Sequence, residues 1–358
     1  MAITIIEFII GLGVLIFLHE LGHYLVSKFW KIEIEEFGFG FPPRLFKLFR
    51  FQGTDFTINA IPFGAFVRPK GENDPSVPGG LASANPWKRF TVLLGGPFIN
   101  IATGILLFCI LFSYTGAPDS SIVKILEVAK NSPAEKAGLI AGDIVVKLND
   151  TDISNTQVLS SLVQKNLGKE ISLIVKRNDK EISLSVMPRL NPPANEGALG
   201  IVMGNPVKPI TWIQAVPMAT QVAFEQASQL FLLPARLIQG QISPDQARVV
   251  GPVGMFDIYS QVRNKDIDDA AAAPDQAEIP LNRIWLIATI SIALGVTNLL
   301  PFPALDGGRI LFLLPEFIIR KRIPTQYENW VNFVGFAALI LFMVYVTTQD
   351  ISNRITLP

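Results

Sequence analysis

Four stretches of the chain stay apolar for about the 20 residues that a hydrocarbon core requires: 3–26, 90–114, 284–314 and 329–349. The first is interrupted by Glu7 and by a polar cluster at 19–23. The second carries no charge, and the third stays uncharged to Leu305 before passing Asp306 and Arg309. This predicts a polytopic α-helical membrane protein with four transmembrane helices, which puts both termini on one side. The opening run lacks the basic flank and small-residue cleavage site of a removable signal peptide, so it reads as a retained span. Between the first two spans the period changes. Phe37, Phe39 and Phe41 alternate with glycines, and Phe56, Ile58 and Ala60 alternate with polar residues before a break at Pro62-Phe63-Gly64. Period-two patterning predicts a β-hairpin sheet over 31–70. An open sheet edge cannot face lipid, so these strands are expected to dip into the protein interior or cover a cavity. The stretch 210–240 is apolar too, but its glutamines, Glu225 and prolines favour a pair of amphipathic surface helices over a fifth span.

Composition agrees with the pattern: 49% of the 358 residues are hydrophobic and mean hydropathy is positive, which is far from a water-soluble domain. Formal net charge is zero, so nothing global points to nucleic acid. Where the charges lie is informative. Lys28, Lys31, Arg44, Lys47, Arg50, Arg68, Lys70, Lys88 and Arg89 fall between spans one and two, and Arg320, Lys321 and Arg322 between three and four. Both connections are therefore expected on the cytoplasmic side, with 115–283 and both termini extracytoplasmic. The one cysteine, Cys109, sits in an apolar run and has no disulfide partner in the chain.

The chemistry-bearing residues lie inside spans. His19 and His23 are i and i+4 on one helix face, so both imidazoles can reach one ion, and Glu20 beside the first can deprotonate a water held there. These are the chain's two histidines. Burying His, Glu and His in a span is unfavourable unless they have a function. A catalytic zinc usually takes three protein ligands, and Asp306, flanked by Pro301, Pro303, Gly307 and Gly308, is the candidate third. The bland alternative pairs Asp306 with Arg309.

Two resemblances follow from these motifs. Residues 121–204 carry Asn131-Ser132-Pro133-Ala134 through Ala137-Gly138-Leu139, then Gly142-Asp143-Ile144, and resemble a PDZ domain of the circularly permuted bacterial kind. The whole chain resembles the site-2 protease family of intramembrane zinc metalloproteases, in the single-PDZ form of the branch that holds the bacterial regulators of sigma-E. The resemblance rests on His19-Glu20-Leu21-Gly22-His23, on Asn298 through Gly308, on Gly95-Gly96-Pro97-Phe98-Ile99-Asn100 and on Gly251-Pro252-Val253-Gly254. It implies Zn2+ as cofactor, His19, His23 and Asp306 as its ligands and Glu20 as general base. It also implies Asn298, Pro301, Pro303, Phe63 and Gly64 at the substrate strand. Two departures, Phe63-Gly64 where a double glycine is usual and Gly95 where alanine is common, bear on edge contacts rather than on the metal. The implied partners are single-span membrane proteins in the lipid bilayer, such as anti-sigma factors or remnant signal peptides, with the PDZ domain contacting their outer regions. The expected organisation is 1–114 for the first two spans and the β region, 118–206 for the PDZ domain, 207–283 for amphipathic helices and linker, and 284–358 for the last two spans. Two rival readings are a non-proteolytic PDZ membrane receptor and a metal transporter; the latter predicts polar residues along spans two and four, which have almost none.

Overall fold

The computed structural model describes residues 1–193, 196–241, 248–272 and 279–356, apart from the side chains of residues 62, 63 and 234. The chain begins with α1 (Ala2–Phe29), on which Thr4, Phe8, Leu15, His19 and Gly22 are buried at helical spacing. Strands β1 (Ile34–Phe51) and β2 (Thr54–Pro69) follow. Their register is folded back on itself: Phe37 faces both Val67 and Phe56, and Phe39 both Ala65 and Ile58, while Arg50 and Phe51 pair with Asp55 and Thr54. The segments therefore lie in the order 65–69, 34–39, 54–58, 44–51, and 65–69 is an edge. Phe37 is fully buried with Tyr24, Ile34 and Ala65, against Phe17 and Leu21 of α1. Burying one such ring contributes about 1.5–3 kcal/mol, which docks the sheet on the helix that carries the histidines. Glu36, also buried, is compensated by Arg44 at 2.9 Å, by Arg68 and by the Thr57 hydroxyl at 2.7 Å. Helix α2 (Pro86–Thr115) then crosses α1 in backbone contact: a Cβ on Gly22 would lie 2.2 Å from the Gly95 carbonyl oxygen.

Residues 112–212 form a separate compact unit. It comprises β3 (Ala117–Pro118), β4 (Val123–Val128), α3 (Pro133–Lys136), β5 (Ile144–Leu148), β6 (Thr151–Asp152), α4 (Thr156–Lys165), β7 (Ile171–Arg177), β8 (Lys180–Val186), β9 (Ile201–Gly204) and β10 (Val207–Lys208). The main sheet runs β8-β7-β5-β4-β9, and β3 pairs with β10 where the chain enters and leaves. Alternation along β7 sends Ile171, Leu173 and Val175 into a core shared with Val123, Ile125, Leu148 and Leu159. Ser132 and Asn155 cap the two helices through their side chains. Asp143, fully buried, accepts from Arg177 at 2.7 and 2.8 Å and from the Ile140 N–H at 3.0 Å.

The remaining helices return to the first unit, which spans 1–111 and 213–358. Helix α5 (Trp212–Ile238) is continuous, so the expected pair over 210–240 is one helix of 27 residues. Pro217, in its second turn, removes one hydrogen bond to the Ile213 carbonyl without ending the helix. Ala215, Ala219 and Ala223 form a buried small-residue face, and Gln226 bonds to Thr289. Helix α6 (Pro252–Ala272) is stapled at three places. Its Arg263 pairs with Glu7 of α1 at 2.7 Å; its Asp266 with Arg283, in α7 (Leu281–Asn298), at 2.8 Å; and its Gly254 N–H donates to buried Asp350, in α9 (Thr325–Ser352), at 2.8 Å. A Cβ on Gly254 would sit 2.9 Å from the Asp350 carboxyl carbon, which accounts for the Gly-Pro-Val-Gly run. The third apolar stretch is broken rather than continuous over 284–314. Helix α7 ends at Asn298, the chain turns back over 299–305, and α8 (Asp306–Ile319) starts at the aspartate. Pro301 and Pro303 cannot sustain a helix here, and a Cβ on Gly307 would strike the Leu299 and Leu300 carbonyls at 2.3 Å. Helices α1, α2, α7 and α9 are long and apolar enough to cross a membrane.

Candidate metal centre

Helix α1 places His19 and His23 one turn apart, and the turn before α8 swings Asp306 against them. His19 Nε2 lies 3.2 Å from His23 Nε2 and 3.1 Å from Asp306 Oδ2, and His23 Nε2 lies 3.3 Å from the same oxygen. Among the described residues these three form a group that could hold a metal ion. A tetrahedral zinc with ligands at about 2.0–2.1 Å separates those ligands by about 3.3 Å, which is the triangle observed. The nitrogen chemistry fits as well. His23 Nδ1 is 2.8 Å from the Val92 carbonyl oxygen, which can only accept, so Nδ1 carries the proton and Nε2 presents a lone pair to the cluster. The lone pair of His23 Nε2 and the Asp306 carboxylate, 3.3 Å apart, repel one another unless a proton or a cation lies between them. Gly96 of α2 makes the room: a Cβ there would lie 2.4 Å from His23 Nε2 and 2.7 Å from His19 Nε2.

Glu20 projects from the same turn of α1 into a cavity of about 460 Å³ shared with His19, His23 and Asp306. Its Oε2 accepts a hydrogen bond from the Val67 N–H at 3.0 Å. The other walls are Phe66–Pro69 of the sheet edge, Val92, Leu93, Asn298 and Ala304. Arg309 also lines the cavity but is bonded to Glu72, so the alternative in which it neutralises Asp306 is not the arrangement seen. Asn298 closes α7, where its side-chain amide donates to the Leu294 carbonyl at 2.9 Å. Pro303 packs against α9, close enough that a Cβ on Gly335 would meet its Cβ at 2.3 Å. Pro301 is exposed in the turn. Gly64 adopts φ 86° two residues before the cavity-lining segment, and the side chain of Phe63 lies outside the described residues. The sequence reading missed Val67, Val92 and Glu72. Val67 lies within the expected 31–70 sheet region but beyond the break at Pro62-Phe63-Gly64, and a backbone carbonyl such as that of Val92 leaves no mark in a sequence.

A largely buried His-His-carboxylate triangle beside a glutamate, on apolar helices, defines a membrane metallopeptidase as its class. Comparison with known proteins gives the family: the model for peptidase family M50 matches residues 7–342, and the chain belongs to that family. It is similar over nearly its whole length to a Clostridium perfringens protein whose name carries the words zinc metalloprotease, at 32% identity over 97% of this chain and 98% of the other. It is similar also to the zinc metalloprotease RasP of Oceanobacillus iheyensis, at 28% over 98% and 99%. A third relative, the regulator of sigma-W protease RasP of Bacillus subtilis, is 27% identical over 98% of both chains. Among solved structures, the PDZ domain of an SdrC-like protein from Listeria monocytogenes matches 24% of this chain and 90% of its own, at 19% identity and TM-score 0.21. The chain is thus a zinc metalloprotease and a multi-pass membrane protein.

Proposed function

We propose that this protein is an intramembrane zinc endopeptidase that cuts peptide bonds within or near the transmembrane segments of single-span proteins. The observation that carries the reading is the joining of the metal triangle to a sheet edge, through the hydrogen bond from Val67 N–H to Glu20. His19, His23 and Asp306 would hold the zinc, which would supply Lewis-acid polarisation of the scissile carbonyl and acidify an attacking water. Glu20 takes the proton from that water and returns it to the leaving amine nitrogen. A transmembrane helix hides its amides in its own hydrogen bonds, so the substrate unwinds, and its freed backbone groups pair with the 65–69 edge. Asn298 lines the cavity beside that strand, and the family resemblance supports Pro301, Pro303, Phe63 and Gly64 as further residues along the substrate strand.

We read 118–206 as a PDZ domain, on its sequence signature, placed outside the membrane with both termini while the metal lies near the cytoplasmic face. The Lys/Arg asymmetry supports this orientation. There the domain restricts substrates by size, admitting those already trimmed outside. The name of the Bacillus subtilis relative supports anti-sigma factors as one substrate class, and remnant signal peptides share the same single-span chemistry. The test is to incubate the purified protein in lipid with a panel of single-span peptides, with and without chelator. Chelator-sensitive cuts inside the spans are expected; cuts only in soluble flanks, or none, would overturn the reading.

A further inference from the structure

Helix α2 contributes no ligand, yet three of its residues at i, i+4 and i+8 face the histidines: Val92 through its carbonyl, Gly96 through its missing side chain, and Asn100. The first two fix His23 and leave space for the ion. Asn100 is fully buried, and its side chain ends 3.5 Å from His19 Nδ1. As placed, its Nδ2 faces that nitrogen and its Oδ1 is a buried acceptor with no hydrogen-bond partner. The two ends of an amide are nearly indistinguishable in shape, and their assignment follows from the hydrogen-bond network. With Nδ2 donating to Nδ1, the His19 proton would have to sit on Nε2, pointing into the triangle where a metal must bind. With the amide turned over, Nδ1–H donates to Oδ1, the orphan acceptor is satisfied and the Nε2 lone pair faces His23 and Asp306.

We infer that Asn100 is a positioning residue for the metal centre, accepting the Nδ1–H of His19 as the Val92 carbonyl accepts that of His23, so that α2 sets both tautomers. The inference rests on the reading of His19 as a ligand. The backbone around Asn100 is itself pinned, because the Ser291 hydroxyl of α7 donates to its carbonyl at 2.7 Å. The Gly-Gly-Pro-Phe-Ile-Asn run thereby gains a reason: its second glycine clears the site and its asparagine orients one ligand.

The roles separate by hydrogen-bond capacity. Aspartate at this position can only accept, and leucine can do neither. In the full chain reconstituted in lipid, zinc affinity measured against a competing chelator is expected to fall about 10–100-fold in Asn100→Leu and to stay within about threefold of wild type in Asn100→Asp. Cobalt-substituted wild type and Asn100→Asp should share one d–d spectrum that Asn100→Leu alters. Because the chain has two histidines, nitrogen-15 labelling of histidine in the zinc-loaded wild type reads each tautomer directly even if a variant fails to fold, and both rings should carry the proton on Nδ1. A proton on His19 Nε2, or equal weakening by aspartate and leucine, would overturn the inference. Full zinc affinity in His19→Ala would instead overturn the reading of His19 as a ligand.

Discussion

Glu20 and Val67 are hydrogen-bonded at 3.0 Å, carboxylate to backbone N–H, across the join between the first helix and the edge of the sheet. A substrate strand laid along 65–69, as proposed, would therefore pass beside the Glu20 carboxylate. Replacing Glu20 by Gln keeps the shape and the zinc and removes the proton acceptor. Hydrolysis of a single-span peptide should fall by about 10²–10⁴, with unchanged zinc content by elemental analysis. Residual activity within about tenfold of wild type would remove Glu20 from that role.

Asp306 supplies the third corner of the triangle, at 3.1 and 3.3 Å from the two Nε2 atoms. Asp306→Asn should lose zinc, from one ion per chain to a fraction of that after dialysis against a weak chelator. Full occupancy in this variant would show that the third ligand comes from elsewhere.

Cysteine introduced at exposed Ser154 should react with an impermeant maleimide in intact cells, as the charge asymmetry demands of an extracytoplasmic domain. The native Cys109 is buried, so background labelling is low. Labelling confined to broken cells would reverse the orientation.

Deleting 118–206 should leave cleavage of short single-span substrates intact and permit cleavage of ones with bulky outer domains that the complete protein refuses. A folded, zinc-loaded deletion that fails on short substrates would mean the domain recruits them instead.

Within 112–212, stability should depend on pH through Asp143. Burial pushes its carboxyl up, but the hydrogen bonds and charge of Arg177 outweigh this and hold it below the usual carboxylate range. A lowered folded-state pKa contributes stability that is present above the unfolded value of about 3.9 and lost as pH falls through the folded one. Amide exchange at Val123 and Val175 should therefore speed up below about pH 4. In Asp143→Ala it should be faster at pH 7, by on the order of 2 kcal/mol of lost protection, and the acid dependence should flatten. An unchanged profile would separate the pair from stability.

Much of this architecture is legible in the residues. Apolar runs mark α1, α2 and α9, and Phe37, Phe39 and Phe56 mark the sheet by their alternation. The His19–His23 spacing needs only a helix to become a face. The break after Asn298 is harder to read, because Leu299, Leu300, Phe302 and Leu305 are as apolar as any span; only the prolines and the carbonyl crowding at Gly307 force the turn. The pairing of Arg309 with Glu72 joins residues 237 positions apart, and nothing local announces it. The same holds for Asp350, an acid near the end of α9 whose partners are Arg248, just before α6, and the Gly254 N–H within it.

The contacts of α6 with Glu7, Arg283 and Asp350 tie three apolar helices together at one end. A bundle clasped in this way resembles a tripod bound near its apex. At its other end α9 is held separately, by Pro303 packed against Gly335 and by Asn332, which accepts from the Ala304 N–H at 3.2 Å. Asp350→Ala therefore releases one of two fastenings, and spin labels at the Glu7 end of α1 and the Asp350 end of α9 should go from a narrow distance distribution in the wild type to a wider one in the variant, while labels on α9 beside Asn332 stay unchanged.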